Sequence, residues 1–100
     1  MYNIPILFII FRRKDTALKS FERIKQVKPN KLYIACDGAR ENVEGENILV
    51  EETRNSILQQ IDWQCEVKTL FRAKNLGCCM GVYTAINWFF KNEGRQVFIL

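Results

Sequence analysis

The chain has no histidine in its 100 residues. That absence excludes a Cys-His nucleophile pair and a Ser-His-Asp triad, because both need an imidazole to take the proton. Glycine is sparse, and its five copies form no phosphate-binding pattern. No G-x-G-x-x-G follows the first apolar run, and no G-x-x-x-x-G-K-[ST] occurs anywhere. A dinucleotide enzyme and a P-loop NTPase are therefore disfavoured. No apolar run approaches the roughly 20 residues of a membrane span. The start, "MYNIPILFIIFRRK", carries its positive charges after the apolar stretch and shows no small-residue cleavage site. It reads as a buried strand, not a signal peptide. Linkers, internal repeats and low-complexity segments are also missing.

The cysteines, Cys36, Cys65, Cys78 and Cys79, do not have the spacing of paired zinc knuckles. A bridge between the vicinal pair would be strained. The expectation is reduced, mostly buried thiols in a cytoplasmic protein.

What is present fits one globular domain spanning residues 1–100. Acidic and basic residues intermingle in "EETRNS" and "FERIK", as on solvated helix faces. The net charge of +4 is mild, so no nucleic-acid partner is expected. Two basic clusters stand apart, "RRK" (Arg12, Arg13, Lys14) and "RAK" (Arg72, Lys74). Each follows an apolar run.

Two periods alternate along the chain. "IPILFIIF" is continuously apolar, as in a strand buried on both faces. Asp15 or Thr16 can cap a first helix, and Leu18, Phe21, Ile24 and Val27 form its apolar stripe. Pro29 and Asn30 stop it. "KLYIAC" is a second strand ending at a turn, Asp37-Gly38. A polar loop runs to Gly45 and Glu46. A second helix is predicted from about Asn47 to Ile61, with Val50, Ile57, Leu58 and Ile61 inward and "EETR" outside. "CEVKTLF" alternates in part, as a strand near a sheet edge does. A third helix, about Cys78 to Asn92, has Val82, Ala85, Ile86, Phe89 and Phe90 at helical spacing. Gly94 is placed to end it, and "QVFIL" is a fourth strand.

Strands joined by single helices pair in parallel through right-handed crossovers. The predicted architecture is a three-layer α/β/α open sheet, mainly parallel, of four strands in the order β-α-β-α-β-α-β. Ligands of such sheets bind beyond the carboxyl ends of the strands. Three segments meet that condition: Arg12-Arg13-Lys14, Asp37 to Arg40, and Arg72 to Gly77. Arginine is a fork for phosphate and stacks on flat rings. An aspartate at a strand tip accepts an N–H from a base or an O–H from a ribose. Asn75-Leu76-Gly77 leads into a helix N-terminus, which favours anions.

"PILFIIFRRKDTALKSFERI", "KLYIACDGAR" and "CEVKTLFRAKNLGCCMGVYTAINWFFKNEG" resemble the N-terminal half of a GT-A-fold, nucleotide-diphospho-sugar glycosyltransferase. The likeness is to bacterial glycosyltransferase-like proteins related to N-acetylglucosaminyltransferases, and it covers nearly the whole chain. The resemblance implies that Arg13 contacts the nucleotide, with Arg12 and Lys14 standing where the family often has asparagine and proline. Asp37, beside Gly38, would hold the base. Asn75 and Gly77 would border the nucleotide, and Arg72 or Lys74 would approach phosphate. It also implies a divalent ion, Mn²⁺ or Mg²⁺, held by an acidic cluster after the fourth strand. The chain reaches Leu100 without such a cluster. The expectation is therefore the donor-binding half of a longer enzyme that takes a nucleotide sugar, a UDP-sugar above all. Alone it would be inactive, bind no metal and be prone to self-association through an exposed sheet edge.

The competing reading is a complete, non-catalytic α/β binding or regulatory module. A receiver-like signalling domain needs acidic residues at the end of the first strand, and three cations stand there. A nucleotidyltransferase would need a glycine-rich basic loop at that point, which is absent.

Overall fold

The computed structural model describes residues 3–93 and the backbone of residues 98–99. Strand β1 (Ile6–Ile10) leads to helix α1 (Lys14–Val27), and β2 (Lys31–Cys36) leads to α2 (Glu46–Gln59). Strand β3 (Glu66–Phe71) leads to α3 (Cys78–Glu93), and the short β4 (Phe98–Ile99) follows. The protein is an α/β fold whose three long strands form a parallel sheet. β1 pairs with β2 from Ile6↔Leu32 to Ile10↔Cys36, and β2 pairs with β3 from Lys31↔Glu66 to Cys36↔Phe71. Phe98 and Ile99 pair in parallel with Ile6 and Leu7, so the order is β3-β2-β1-β4. Gly94, Gln96, Val97 and Leu100, which figure in the predicted last turn and last strand, lie outside the described residues.

Strand periodicity divides the core in two. Ile6, Phe8 and Ile10 of β1 and Leu32, Ile34 and Cys36 of β2 face α1 and α2. Leu7 of β1 and Tyr33 and Ala35 of β2 face α3 through Ala85 and Phe89. Because both central strands are covered on both sides, they read as unbroken apolar runs. β3, at the sheet edge, stays half exposed along its length.

The apolar stripe of α1 buries Ala17, Phe21 and Ile24. Phe21 is sealed between Phe8 at 5.6 Å and Trp63 at 6.1 Å between ring centroids. Trp63 anchors the cluster by donating its indole N–H to the Pro29 carbonyl. Two expectations fail in this helix. Arg13 is the N-cap residue, so Asp15 and Thr16 lie in the first turn and do not cap it. Val27 is 41% exposed, because the chain leaves the helix at Lys28 in a left-handed conformation (φ 47°) just before Pro29.

α3 is tied down at its far end as well. The Tyr33 hydroxyl donates to Glu93, and Lys31 Nζ lies 2.8 Å from the same carboxylate. Burial first, and then the Glu93 contact, hold the Tyr33 phenol above its usual pKa. Of the stripe predicted for this helix, Ala85 and Phe89 meet the sheet, whereas Val82 and Phe90 are exposed, as are Leu76, Met80 and Tyr83 on and beside it, because only a narrow face of the helix packs on the strands. Among the described residues no helix is long and apolar enough to cross a membrane.

Phe21→Ala should lower the unfolding free energy by about 3–5 kcal/mol, as expected for emptying a sealed aromatic site. Val27→Ala should change it by less than about 0.5 kcal/mol. Urea denaturation of the two variants separates these outcomes, and equal losses would contradict the stripe described here.

Candidate functional site

The three segments that follow β1, β2 and β3 converge on one cleft of about 710 Å³ at the carboxyl end of the sheet. Its floor is apolar, with Ile9, Phe11, Ala35 and Val82, and its rim is cationic. Of the sequence-predicted residues, Arg12, Arg13, Asp37, Arg72, Asn75 and Gly77 all line it. Arg13 is exposed and makes no ion pair or side-chain hydrogen bond among the described residues. Gly38 and Lys74 do not line the cleft.

Gly38 has a different task. A Cβ there would sit 2.6 Å from the backbone carbon of Lys74. Only glycine lets the 72–77 loop lie across the end of β2. Lys74, on the outside of that crossing, is exposed to solvent.

Asp37 and Asn75 fasten the same crossing. Both Asp37 carboxylate oxygens accept from the Leu76 N–H, at 3.0 and 3.1 Å, and Oδ1 also accepts from the Gly38 N–H at 2.9 Å. Asn75 Nδ2 donates to the Gly38 carbonyl at 2.7 Å, while its Oδ1 accepts from the Gly77 N–H at 3.0 Å. Gly77 then takes a φ of 89°, which turns the chain into α3. Gly81, one turn later, lets the helix approach until a Cβ would be 3.1 Å from Asp37 Oδ2. Arg72 Nη2 donates to Thr84 Oγ1 at 2.6 Å, which ties the end of β3 to the middle of α3. An ionised carboxylate has about four acceptor positions. Asp37 thus keeps capacity toward the cleft although two N–H groups already occupy it.

Two groups that hold this site together are absent from the sequence reading. The first is Arg54, which was assigned with "EETR" to the outer face of its helix. Glu51 and Glu52 are exposed, but Thr53 and Arg54 are buried beside Val50 and Ile57, whereas Leu58 is exposed. Val50, Thr53, Arg54 and Ile57 have the i, i+3, i+4, i+7 spacing of one helix face. The period was present; only the hydrophobicity was broken. Arg54 Nη2 reaches the carbonyls of Arg72 at 2.8 Å, Asp37 at 3.0 Å and Cys36 at 3.4 Å. Its guanidinium lies 4.9 Å from the Phe71 ring centroid. It gathers the last carbonyls of β2 and β3 directly beneath the rim.

The second is Glu46, which begins α2 behind Gly45 and is only 1% exposed. It was read as the end of a polar loop. Its Oε1 accepts from the Arg40 backbone N–H and from Arg40 Nε, both at 2.9 Å. Its Oε2 lies 2.5 Å from Arg40 Nη2 and 3.6 Å from Arg12 Nε. The Arg40 hydrogen bonds, against the opposing effect of burial and with help from Arg12, pull the carboxyl down to about 2. Arg40 also lines the cleft.

The thiols depart from expectation in part. Cys36 is buried and Cys65 partly so, and burial pushes both above the usual thiol range. Cys78 and Cys79, which open the first turn of α3, are exposed. Among the described residues no group of three or more His, Cys, Asp or Glu side chains converges, so no metal ligand set is assigned within the chain.

Removing the Arg54 head group takes the guanidinium donor from the part-buried Asp37 and Arg72 carbonyls, at up to roughly 1–3 kcal/mol each, while the Cys36 carbonyl keeps the Arg72 N–H. Arg54→Met should therefore lower stability by at least about 2 kcal/mol in urea denaturation, and a neutral result would sink the hub assignment. Glu46 gives a pH signature. Its folded pKa lies below its unfolded value, so its contribution is complete above about pH 4.5 and disappears as pH falls toward about 2. Melting temperature measured across that window should drop less steeply for Glu46→Gln than for the wild type.

No family model, curated protein or solved structure matches the chain.

Proposed function

We propose that the chain is the nucleotide-sugar-binding half of a GT-A-like glycosyltransferase, with a UDP-sugar as its donor. The observation that carries the reading is convergence. Three segments far apart in sequence supply Arg12, Arg13, Asp37, Arg72 and Asn75 to one cleft at the carboxyl ends of parallel strands. That is where open α/β sheets take their ligands. The volume of about 710 Å³ falls within the range of small-molecule sites. An apolar floor suits a base, and a cationic rim suits phosphate.

The cleft favours binding over turnover. Asp37 is the one carboxylate that lines it among the described residues, and its oxygens already accept backbone N–H groups. Among the described residues no carboxylate other than Asp37 lines the space. Among the described residues no group of carboxylates converges to hold the Mn²⁺ or Mg²⁺ that such a donor would call for.

Titration with UDP at millimolar concentration should give heat in calorimetry. In amide NMR it should give shift changes confined to residues 11–14, 36–40 and 72–78. Arg13→Ala should weaken UDP binding about tenfold or more, the equivalent of one charge-assisted hydrogen bond, without moving the melting temperature. Silence in all three segments would reject the reading.

A further inference from the structure

Two arginines in the cleft share one buried carboxylate. Glu46, with a fully buried side chain, binds Arg40 through Nε and Nη2 and approaches Arg12 Nε at 3.6 Å. The two guanidinium groups stay accessible, with side-chain exposures of 47% for Arg40 and 36% for Arg12. Arg40 Nη1 and both terminal nitrogens of Arg12 have no partner among the described residues. One negative charge therefore holds two positive ones at the edge of a cavity and leaves a surplus. Around the whole cleft, four arginines line the space, and the carboxylates that answer them are Asp37 and Glu46. The other basic residues named for phosphate are worse placed. Arg72 is engaged with Thr84, and Lys74 stands outside the cleft.

We infer that Arg12 and Arg40, held by Glu46, form the subsite for a doubly charged diphosphate group, and that Glu46 acts as its positioning residue. The inference deepens the nucleotide reading and rests on it only for the nucleoside end. A guanidinium fixed at one edge by a carboxylate keeps its other N–H groups oriented, so little side-chain freedom remains to be lost when phosphate arrives. Four arginines against Asp37 and Glu46 leave the cleft as a whole with two uncompensated positive charges, which a dianion matches better than a single carboxylate does. Glu46 stays ionised throughout the neutral range, so the pair remains in place wherever a diphosphate is fully charged.

Three probes, UDP, uridine and inorganic pyrophosphate, titrated calorimetrically into the full chain separate the possibilities. Wild type should bind UDP at least tenfold more tightly than uridine, and bind pyrophosphate measurably. Glu46→Gln should weaken UDP and pyrophosphate about five- to tenfold and leave uridine unchanged. Arg40→Lys keeps the charge but not the fork, and should weaken UDP about threefold or more. It carries the test alone if Glu46→Gln does not fold. Pyrophosphate binding that depends on Arg40 and Glu46, without uridine or UDP selectivity, would support the anion subsite while rejecting the nucleotide. UDP and uridine binding equally, unmoved by either substitution, would overturn the subsite and leave the nucleotide reading standing. If none of the three binds, both fall. A loss equal for all three probes would show that Glu46 is merely structural.

Discussion

The rim depends on a positive charge buried where parallel strands end. Parallel strands that stop at one level leave their last carbonyls side by side, and buried carbonyls need donors. In this fold Arg54 supplies them from α2, reaching the ends of β2 and β3 together. The loop 72–77 can then fold back over β2, because its first carbonyl is already held. Gly38 gives it room, and Asp37 and Asn75 fasten it. The cleft is thus an outcome of satisfying strand ends, not a void left by poor packing.

Charge repeats this logic at a second place. Glu46 is buried only because Arg40, folding back from six residues before it, meets it with both backbone and side chain. A carboxylate paired in this way stays ionised and fixes its partners. The loop between β2 and α2 is polar in composition yet closed around this ion pair. Both clusters put charge behind the cleft wall, where it orients the groups that face the cleft.

Much of this could be read from the residues, and the reasons for the remainder are physical. β1 and the extents of α1 and α3 were legible because apolar composition and period coincide there, but the stripes were drawn too wide: Val27, Val82 and Phe90 are exposed, and α3 buries only Ala85 and Phe89. α2 was displaced because Thr53 and Arg54 occupy its buried face, and a polar residue on that face looks like a solvated one. Thr53 satisfies its hydroxyl on the Leu49 carbonyl, four residues back, which no periodicity reveals. In the site, residues that follow strands came together because the topology puts all those ends at one level. The sequence order could not show which way a side chain turns, so Gly38 and Lys74 were grouped with residues that reach the cleft. Arg40 was placed on the rim with the segment after β2, but its pairing with Glu46 escaped notice because an ion pair inside a polar loop has no compositional trace.

The two bonds that grip α3 have a mechanical meaning. Midway along it, Thr84 accepts from Arg72, and at its last residue Glu93 accepts from Tyr33 and lies against Lys31. The C-terminal half of the helix is thus a beam pinned at two points to the same sheet, with Ala85 and Phe89 bedded between the pins. The first turns, which carry Val82 to the cleft, extend beyond the nearer pin and are held instead through Asp37, whose carboxylate accepts the Leu76 N–H just before the helix. One helix therefore serves two separate mechanical tasks, bracing the sheet with one half and walling the cleft with the other.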